Sequence, residues 1–265
     1  SSPSPAACMP FWAAGAEPPP MRYAADLHIH SCLSPCGELS MSPREIARRA
    51  RAAGLDMAAV TDHNSALNAP AFAAACAGEG ITPVFGIEVT TREEVHVLAL
   101  FEKPDEALEL GRIIYAALPP IMNDPEKFGD QVYVDLDENI IGEVDKFLVS
   151  AADISLDELA EYIRGLNGLF IPAHVDRPSF SLSSQLGFIP PMAYSALEVT
   201  AIPPSVDTGA CVLVANSDAH HPDGVGRRRT FFSAPGLAPG TTPGRGPGPR
   251  PGFADYRRAL LEGRV

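Results

Sequence analysis

Leu55-Asp56-Met57-Ala58-Ala59-Val60-Thr61-Asp62-His63-Asn64 is the stretch on which the fold turns. Met57 to Val60 are apolar at successive positions, which predicts a strand buried on both faces, as in a parallel sheet with helices on each side. The run closes on four polar residues. In α/β folds that end of a strand is the edge where ligands and catalytic groups collect. Helical readings flank it. Ser42-Pro43 opens one, with Glu45 early and Gly54 at its end, and an Ala-rich helix covers about Asn68 to Glu79, closed by Gly80.

Working outward, strands are predicted at Ala24–His30, Ile81–Val89, Val95–Phe101, Leu169–His174, Leu197–Ala201, Val212–Asn216 and Arg229–Ser233. Helices are predicted at Asp105–Leu118 and from the capping box Ser155-Leu156-Asp157-Glu158 to about Leu166. This alternation predicts an α/β fold with a mostly parallel sheet, a barrel or barrel-like layer, with an open doubly wound sheet as the alternative. Residues 119–150 read as an insert: an irregular run to Asp130, then a hairpin over Gln131–Val144 turning at Asp137-Glu138-Asn139. The expected organisation is a Pro-rich arm at 1–21, one domain at 22–234, a Gly/Pro-rich loop at 235–252 and a terminal helix at 253–265 docking back.

The 265 residues are 46% hydrophobic, enough for a sizeable core and too apolar for a mainly disordered chain. Twenty Lys and Arg against 33 Asp and Glu leave a net charge of −13, which disfavours bulk duplex nucleic acid as a partner. It leaves room for a small anionic substrate, because bound cations invert local charge. No run is long and apolar enough to span a membrane, and Pro18-Pro19-Pro20 interrupt any leader pattern. The cysteines Cys8, Cys32, Cys36, Cys76 and Cys211 are odd in number and scattered, which points to a reducing, cytoplasmic setting.

The histidines carry the chemistry. His28, His30, His63, His96, His174 and the pair His220-His221 are each expected at or just after the C-terminal end of a strand. In Asp26-Leu27-His28-Ile29-His30, residues two apart share a face, so two imidazoles and a carboxylate line up. Such a set suits zinc, manganese or iron. Asn216-Ser217-Asp218-Ala219-His220 repeats the pattern, with His221 pointing elsewhere. Gly86-Ile87-Glu88 adds a carboxylate able to bridge two ions, and Glu94-Val95-His96 and Pro172-Ala173-His174 add imidazoles. One such residue alone is most simply a structural polar group; six at successive strand ends predict a multinuclear metal site.

In order, Asp26-Leu27-His28-Ile29-His30-Ser31, Thr61-Asp62-His63-Asn64, Gly86-Ile87-Glu88, His96, Pro172-Ala173-His174 and Ser217-Asp218-Ala219-His220 resemble the motif series of the PHP family, the polymerase and histidinol phosphatase metal-dependent phosphoesterases. The resemblance spans about residues 23–221. It implies a distorted (β/α)7 barrel, here with the inserted hairpin, and two or three divalent ions. His28, His30, Glu88 and Asp218 would hold a first ion. Glu88, bridging, with His96 and His174 would hold a second. His63 and His220 would hold a third, together with a ligand from the loop after His30. Relatives often place His or Asp in that loop; here Cys36 stands about where it is expected, and a thiolate would favour zinc or iron over manganese. Asp26 and Asp62 are expected to orient imidazole N–H groups.

Two such ions activate water near neutral pH and clamp both oxygens of an in-line displacement at phosphorus. The expected activity is therefore hydrolysis of a small phosphate ester, a phosphomonoester or a nucleotide phosphate. Arg177 is the expected phosphate clamp, with Arg227, Arg228 and Arg229 as further candidates. Metal-bound water, Asp62 and His221 are the candidates to protonate the leaving oxygen. Pro178 to Pro191 could form a lid or specificity wall, and Phe180, Phe188 and Tyr194 could stack on a base or sugar. Action on nucleic acid ends and a non-catalytic metal-binding module are the competing readings. An amidohydrolase-like site lacks its lysine: Lys103, Lys127 and Lys146 stand beside no ligand.

Overall fold

A computed structural model describes residues 22–234 and 250–265. The arm at 1–21 and positions 235–249 of the Gly/Pro-rich loop lie outside the described residues. In chain order the elements are β1 (Arg22–Asp26), α1 (Pro43–Ala52), β2 (Met57–Val60), α2 (Ala69–Glu79), β3 (Thr82–Thr90), β4 (His96–Phe101), α3 (Pro104–Ala117), α4 (Pro125–Phe128), β5 (Val132–Val134), β6 (Ile140–Glu143), α5 (Leu156–Gly165), β7 (Leu169–Pro172), α6 (Leu182–Leu186), β8 (Leu197–Glu198), β9 (Leu213–Val214), β10 (Thr230–Ser233) and α7 (Phe253–Leu261).

Helix starts follow local chemistry. Ser42 Oγ accepts from Glu45 N at 3.2 Å before Pro43. At α5, Glu158 N donates to Ser155 Oγ while Ser155 N donates back to Glu158 Oε2 at 2.8 Å, the reciprocal cap its sequence predicts.

The main sheet has the order β10-β1-β2-β3-β4-β7. β1, β2, β3 and β7 run one way; β4 and β10 run the other. The expectation of a mostly parallel sheet is thus corrected at β4. Only Thr91 to Val95 separate β3 from β4, closed by Thr91 N to Val95 O at 3.0 Å, and a parallel crossover needs a dozen or more residues. β8 and β9 form a parallel pair of their own. Val175 N donates to Glu198 O at 2.8 Å, placing β8 beside the end of β7, and Thr230 Oγ1 links β10 to Ala215. The result is a curled α/β sheet without a continuous backbone ladder around it. Strands of two residues are too short to carry one.

Alternation along each strand sorts side chains onto two buried faces. Ala58, Val60, Phe85, Val97 and Ala99 pack outward with α1, α2, α3 and α5. Met57, Ala59, Val84, Leu98 and Ile171 face inward, where α7 contributes Phe253, Tyr256 and Leu260. Tyr256 meets Phe232 edge-on at 5.1 Å between ring centroids. Residues 131–144 form the antiparallel β5–β6 hairpin. Asn64 ties this insert to the rim: Asn64 Nδ2 donates to Leu148 O at 2.6 Å, and Thr90 N donates to Asn64 Oδ1 at 3.0 Å, while Gln131 Nε2 donates to Val144 O within the insert.

Candidate metal centre

Regular pairing of the first strand ends at Asp26, earlier than expected, because side chains take over the next amides. Leu27 N donates to Asn216 Oδ1 and Ile29 N to Thr61 Oγ1. Ile29 then bridges Ala219, with His30 N donating to Ala219 O at 2.9 Å. That bridge lays the 217–220 segment beside the H-x-H motif. His63 bridges Glu88 in the same way across β2 and β3. His96 is the exception to the rule of strand ends: it begins β4, and the antiparallel direction of β4 returns it to the same rim.

Glu88, buried, is the centre. Oε1 lies 3.3 Å from His28 Nε2, 2.9 Å from His96 Nδ1 and 3.1 Å from His174 Nε2; Oε2 lies 3.3 Å from His30 Nε2 and 3.1 Å from His63 Nδ1. Asp218 Oδ1 stands 3.3 and 3.2 Å from the Nε2 atoms of His28 and His30, which are 3.3 Å from each other. Sets of donor atoms within 4.8 Å of one another are His28, His30 and Asp218; His63, Glu88 and His96; and His30, Cys36, His63 and His220. The rim residues named from the sequence therefore converge. Their grouping differs from the expected one in placing His63 with both Glu88 and Cys36.

The donor set fits divalent ions. His63 Nδ1, which faces Glu88, is buried with no hydrogen-bond partner, a cost that a bound cation removes. On His28, His30 and His220 the second ring nitrogen is occupied. His28 Nδ1 faces both Glu198 oxygens at 3.0 and 3.1 Å, and His220 Nδ1 donates to Asp218 O at 2.9 Å. Ser34 Oγ donates to Asp62 at 2.7 Å, so toward His30 Nδ1, 2.9 Å away, it accepts. Each contact directs an Nε2 lone pair inward. The backbone is strained here: His174 and Asp218 have φ of 31° and 53°.

Charges are strongly perturbed. Burial works against it, yet the imidazoles of His96, His28 and His63 hold the Glu88 carboxyl well below its usual range. Burial likewise opposes charge on His30, but hydrogen bonds to Asp218 and Glu88 raise it to about 9; Glu198, Asp218 and Glu88 raise His28. Burial lowers His63, and lowers His220 to about 4. The Cys36 thiol, turned toward this cluster from the loop after His30, is pushed up to about 12 by desolvation and by the charge of Glu88.

Two roles are corrected. Asp26 touches no imidazole; it accepts from Ser217 N and Gly226 N and braces the 217–226 turn, and burial raises it to about 6. Asp62 reaches His30 only through Ser34. Its buried oxygens accept from Ser31 N, Ser31 Oγ and Ser34 Oγ at 2.6, 2.6 and 2.7 Å, and burial raises its pKa. Glu198 is the residue the sequence reading missed. Its signal was an acid between Leu197 and Val199 in a predicted strand, an unusual thing to bury without a partner.

Arg177 Nη1 donates to Asp218 Oδ2 at 2.6 Å, and Arg177 lines a small cavity with His174, Thr200, Ser217 and Arg228. A neighbouring cleft of about 600 Å³ includes Asp218, His220, His221, Arg227 and Arg228. His221 accepts from Asp223 N and pairs with Glu38 at 3.2 Å. Arg229 is structural, donating to Ala53 O and Gly226 O. Phe180 stacks on His96, with centroids 4.8 Å apart, whereas Tyr194 stacks on Phe170 away from the rim.

Fold and rim together define an α/β protein with a histidine-rich cluster around a buried carboxylate, able to hold cations, at one edge of a curled sheet. The PHP domain family matches residues 26–175, more than half the chain, and the chain belongs to that family. No curated protein matches the sequence. Among solved structures it is similar to the lesion-specific endonuclease Q of Pyrococcus furiosus, at 20% identity and a TM-score of 0.62 over 91% of this chain and 56% of the endonuclease. It therefore spans little more than half of that protein. It is also similar to a putative metal-dependent phosphoesterase from Bifidobacterium adolescentis, at 17% identity and a TM-score of 0.52, covering 93% of this chain and 98% of the other. An amidohydrolase from Chromobacterium violaceum, solved with bound sulfate, is similar at 19% identity and a TM-score of 0.53, with 91% and 97% covered. At these identities the likeness concerns the fold.

Proposed function

We propose that this protein is a metal-dependent hydrolase of small phosphate esters, a phosphomonoester or nucleotide phosphate, and that its curled sheet with β8 and β9 is a distorted (β/α)7 barrel of PHP type. The carrying observation is one buried carboxylate, Glu88, within 2.9–3.3 Å of five imidazoles. His28, His30 and Asp218 would hold one ion, Glu88 with His96 and His174 a second, and His63, His220 and Cys36 a third. Zinc, manganese or iron bound there supplies activation of water and Lewis-acid stabilisation of phosphoryl oxygens. Glu198 and Ser34 fix the tautomers of His28 and His30. Arg177 places a cation beside Asp218, where its planar fork suits phosphate oxygens. His221, at the mouth of the cleft, is the better placed of the two side-chain proton donors expected, since Asp62 is engaged by Ser31 and Ser34. No helix of the described residues is long and apolar enough to cross a membrane.

Purified protein of known metal content, loaded with Mn²⁺ or Zn²⁺, is expected to hydrolyse nitrophenyl phosphate and members of a phosphorylated-metabolite panel. His28→Ala and Asp218→Ala should abolish turnover; unchanged activity in either would refute the reading. The likeness to an endonuclease favours a second reading, cleavage at nucleic acid ends. Single-stranded oligonucleotides with the same variants as controls separate the two, and the net charge of −13 predicts the small ester as the better substrate.

A further inference from the structure

We propose that Phe180 is the positioning residue for His96: its ring lies flat on the imidazole and holds the plane that hydrogen bonds set for other ligands, an inference that rests on the metal-binding part of the function proposed above. His28, His30 and His220 each spend Nδ1 on a partner, respectively Glu198, Ser34 and the Asp218 carbonyl. His96 has no such support. It turns Nδ1 toward Glu88 at 2.9 Å, and its buried Nε2 meets no hydrogen-bond partner among the described residues. No hydrogen bond away from the cluster therefore stops the ring from turning about χ2, a broad torsion for imidazole. The aromatic neighbours differ in what they offer. His63 and His174 meet the ring at 64° and 59°, whereas Phe180 lies within 19° of parallel, with centroids 4.8 Å apart. An offset stack of that kind is attractive and is lost when either ring turns.

The loop that carries Phe180 is held in place for this contact. Phe180 has a φ of 53°, a left-handed conformation that a bulky side chain rarely adopts. His96 N donates to Phe180 O at 2.9 Å, so the residue that bears the imidazole also fixes the backbone of the ring above it. Ser181 Oγ donates to Arg177 O at 2.7 Å and Ser183 Oγ to Val175 O at 2.5 Å, which closes the loop on itself. Strained residues persist where surrounding contacts over-determine them, and they gather at ligand clamps and active sites. Phe180 is 38% exposed, so burial alone does not account for an aromatic side chain at a strained position. The same loop brings Arg177 Nη1 to Asp218 Oδ2. It thus supports the cluster at two points, Asp218 through a charge and His96 through a ring.

Zn²⁺ is the probe, titrated into metal-free protein against a chromogenic chelator, with circular dichroism confirming the fold of each variant. Phe180→Leu keeps an apolar side chain and the same backbone demand but removes the flat ring. It is expected to weaken one of the bound ions at least about tenfold, the lower end of what losing a supporting partner costs, while Phe180→Tyr retains wild-type affinity. In a His96→Ala background Phe180→Leu should cost nothing further, because both changes act through one ligand. The stack itself is read without metal: the carbon-bound ring protons of His96 should resonate upfield in the wild type and in Phe180→Tyr, and move downfield in Phe180→Leu. Hydrolysis of nitrophenyl phosphate by Phe180→Leu should fall at limiting Zn²⁺ and recover at saturation, with KM unchanged. Equal Zn²⁺ affinity in Phe180→Leu and the wild type, or an additive loss in the double variant, overturns the proposal and leaves the metal centre standing. Unchanged affinity with a raised KM makes Phe180 a substrate contact and overturns it as well. The expected order of affinities with no ester hydrolysed by any variant refutes the hydrolase reading and leaves Phe180 its role. A wild type that binds no Zn²⁺ overturns both.

Discussion

His28 shows how one imidazole is made into a ligand. Glu198 accepts from its Nδ1 on one side, while Glu88 and Asp218 face its Nε2 on the other. Glu198 also accepts from Asn216 Nδ2 and the backbone His174 N, so a single buried acid orients one imidazole and holds the backbone that carries another. Glu198→Gln keeps the shape and removes the charge. It is expected to weaken metal affinity about 10–100-fold, read by competition with a chromogenic chelator, with turnover recovering at saturating metal. A turnover defect that persists at saturation would place Glu198 in the chemistry instead. His30 gives the pH dependence. Its folded value of about 9 lies above the usual 6.5, so protonation stabilises the metal-free fold fully below pH 6.5. That stabilisation, up to about 3 kcal/mol, is lost as pH rises through 9. Ligation requires the neutral ring, so metal affinity should run the opposite way and climb over the same window. Thermal melts of metal-free and metal-loaded protein from pH 6 to about 9.5 should therefore diverge.

β3 carries Glu88 into the middle of the cluster, and Gly86 lets it pass. A Cβ at Gly86 would meet Leu100 Cδ2 and Thr61 Cγ2 at 2.8 Å and Ala99 O at 2.9 Å. Gly86→Ala should destabilise by about 1–3 kcal/mol through overpacking. It should also loosen metal binding, because the carboxylate two residues on shares the displaced strand; isothermal titration and denaturant unfolding together check both. The strands themselves were legible, since Met57 to Val60 and Val97 to Phe101 are apolar at every position and both faces prove buried. The direction of β4 was equally legible from the five residues before it, too few for a crossover, though alternation of strand and helix obscured it. Roles that depend on which hydrogen bond wins were not legible. Asp26 and Asp62 stand beside imidazoles in sequence, yet backbone amides and serine hydroxyls claim their oxygens in space. Glu198 shows the same limit: it lies 170 positions from the histidine it orients.

The cluster draws on β1, β2, β3, β4, β7 and the 217–220 turn, so ions bound there tie together segments from His28 to His220. Without ions, the buried His63 Nδ1 remains unpartnered and two ligand residues sit in strained backbone conformations, each such conformation costing on the order of 1–3 kcal/mol. The unfolded chain cannot assemble this geometry, so metal binding adds directly to folding stability. An ion at 100 times its dissociation constant adds about 2.7 kcal/mol per site. For a domain of this size that corresponds to roughly 5–10 °C in Tm. Chelation should therefore lower Tm by at least that much, and readdition of Zn²⁺ or Mn²⁺ should restore it in a concentration-dependent way. Asp218→Asn, which weakens the charge facing both His28 and His30, should lose most of the increment for one site while α7, packed on β10 through Tyr256 and Phe232, keeps the same hydrogen-exchange protection. A melting temperature indifferent to chelator would mean that the rim is preformed by packing alone and that the cations do not hold its segments together.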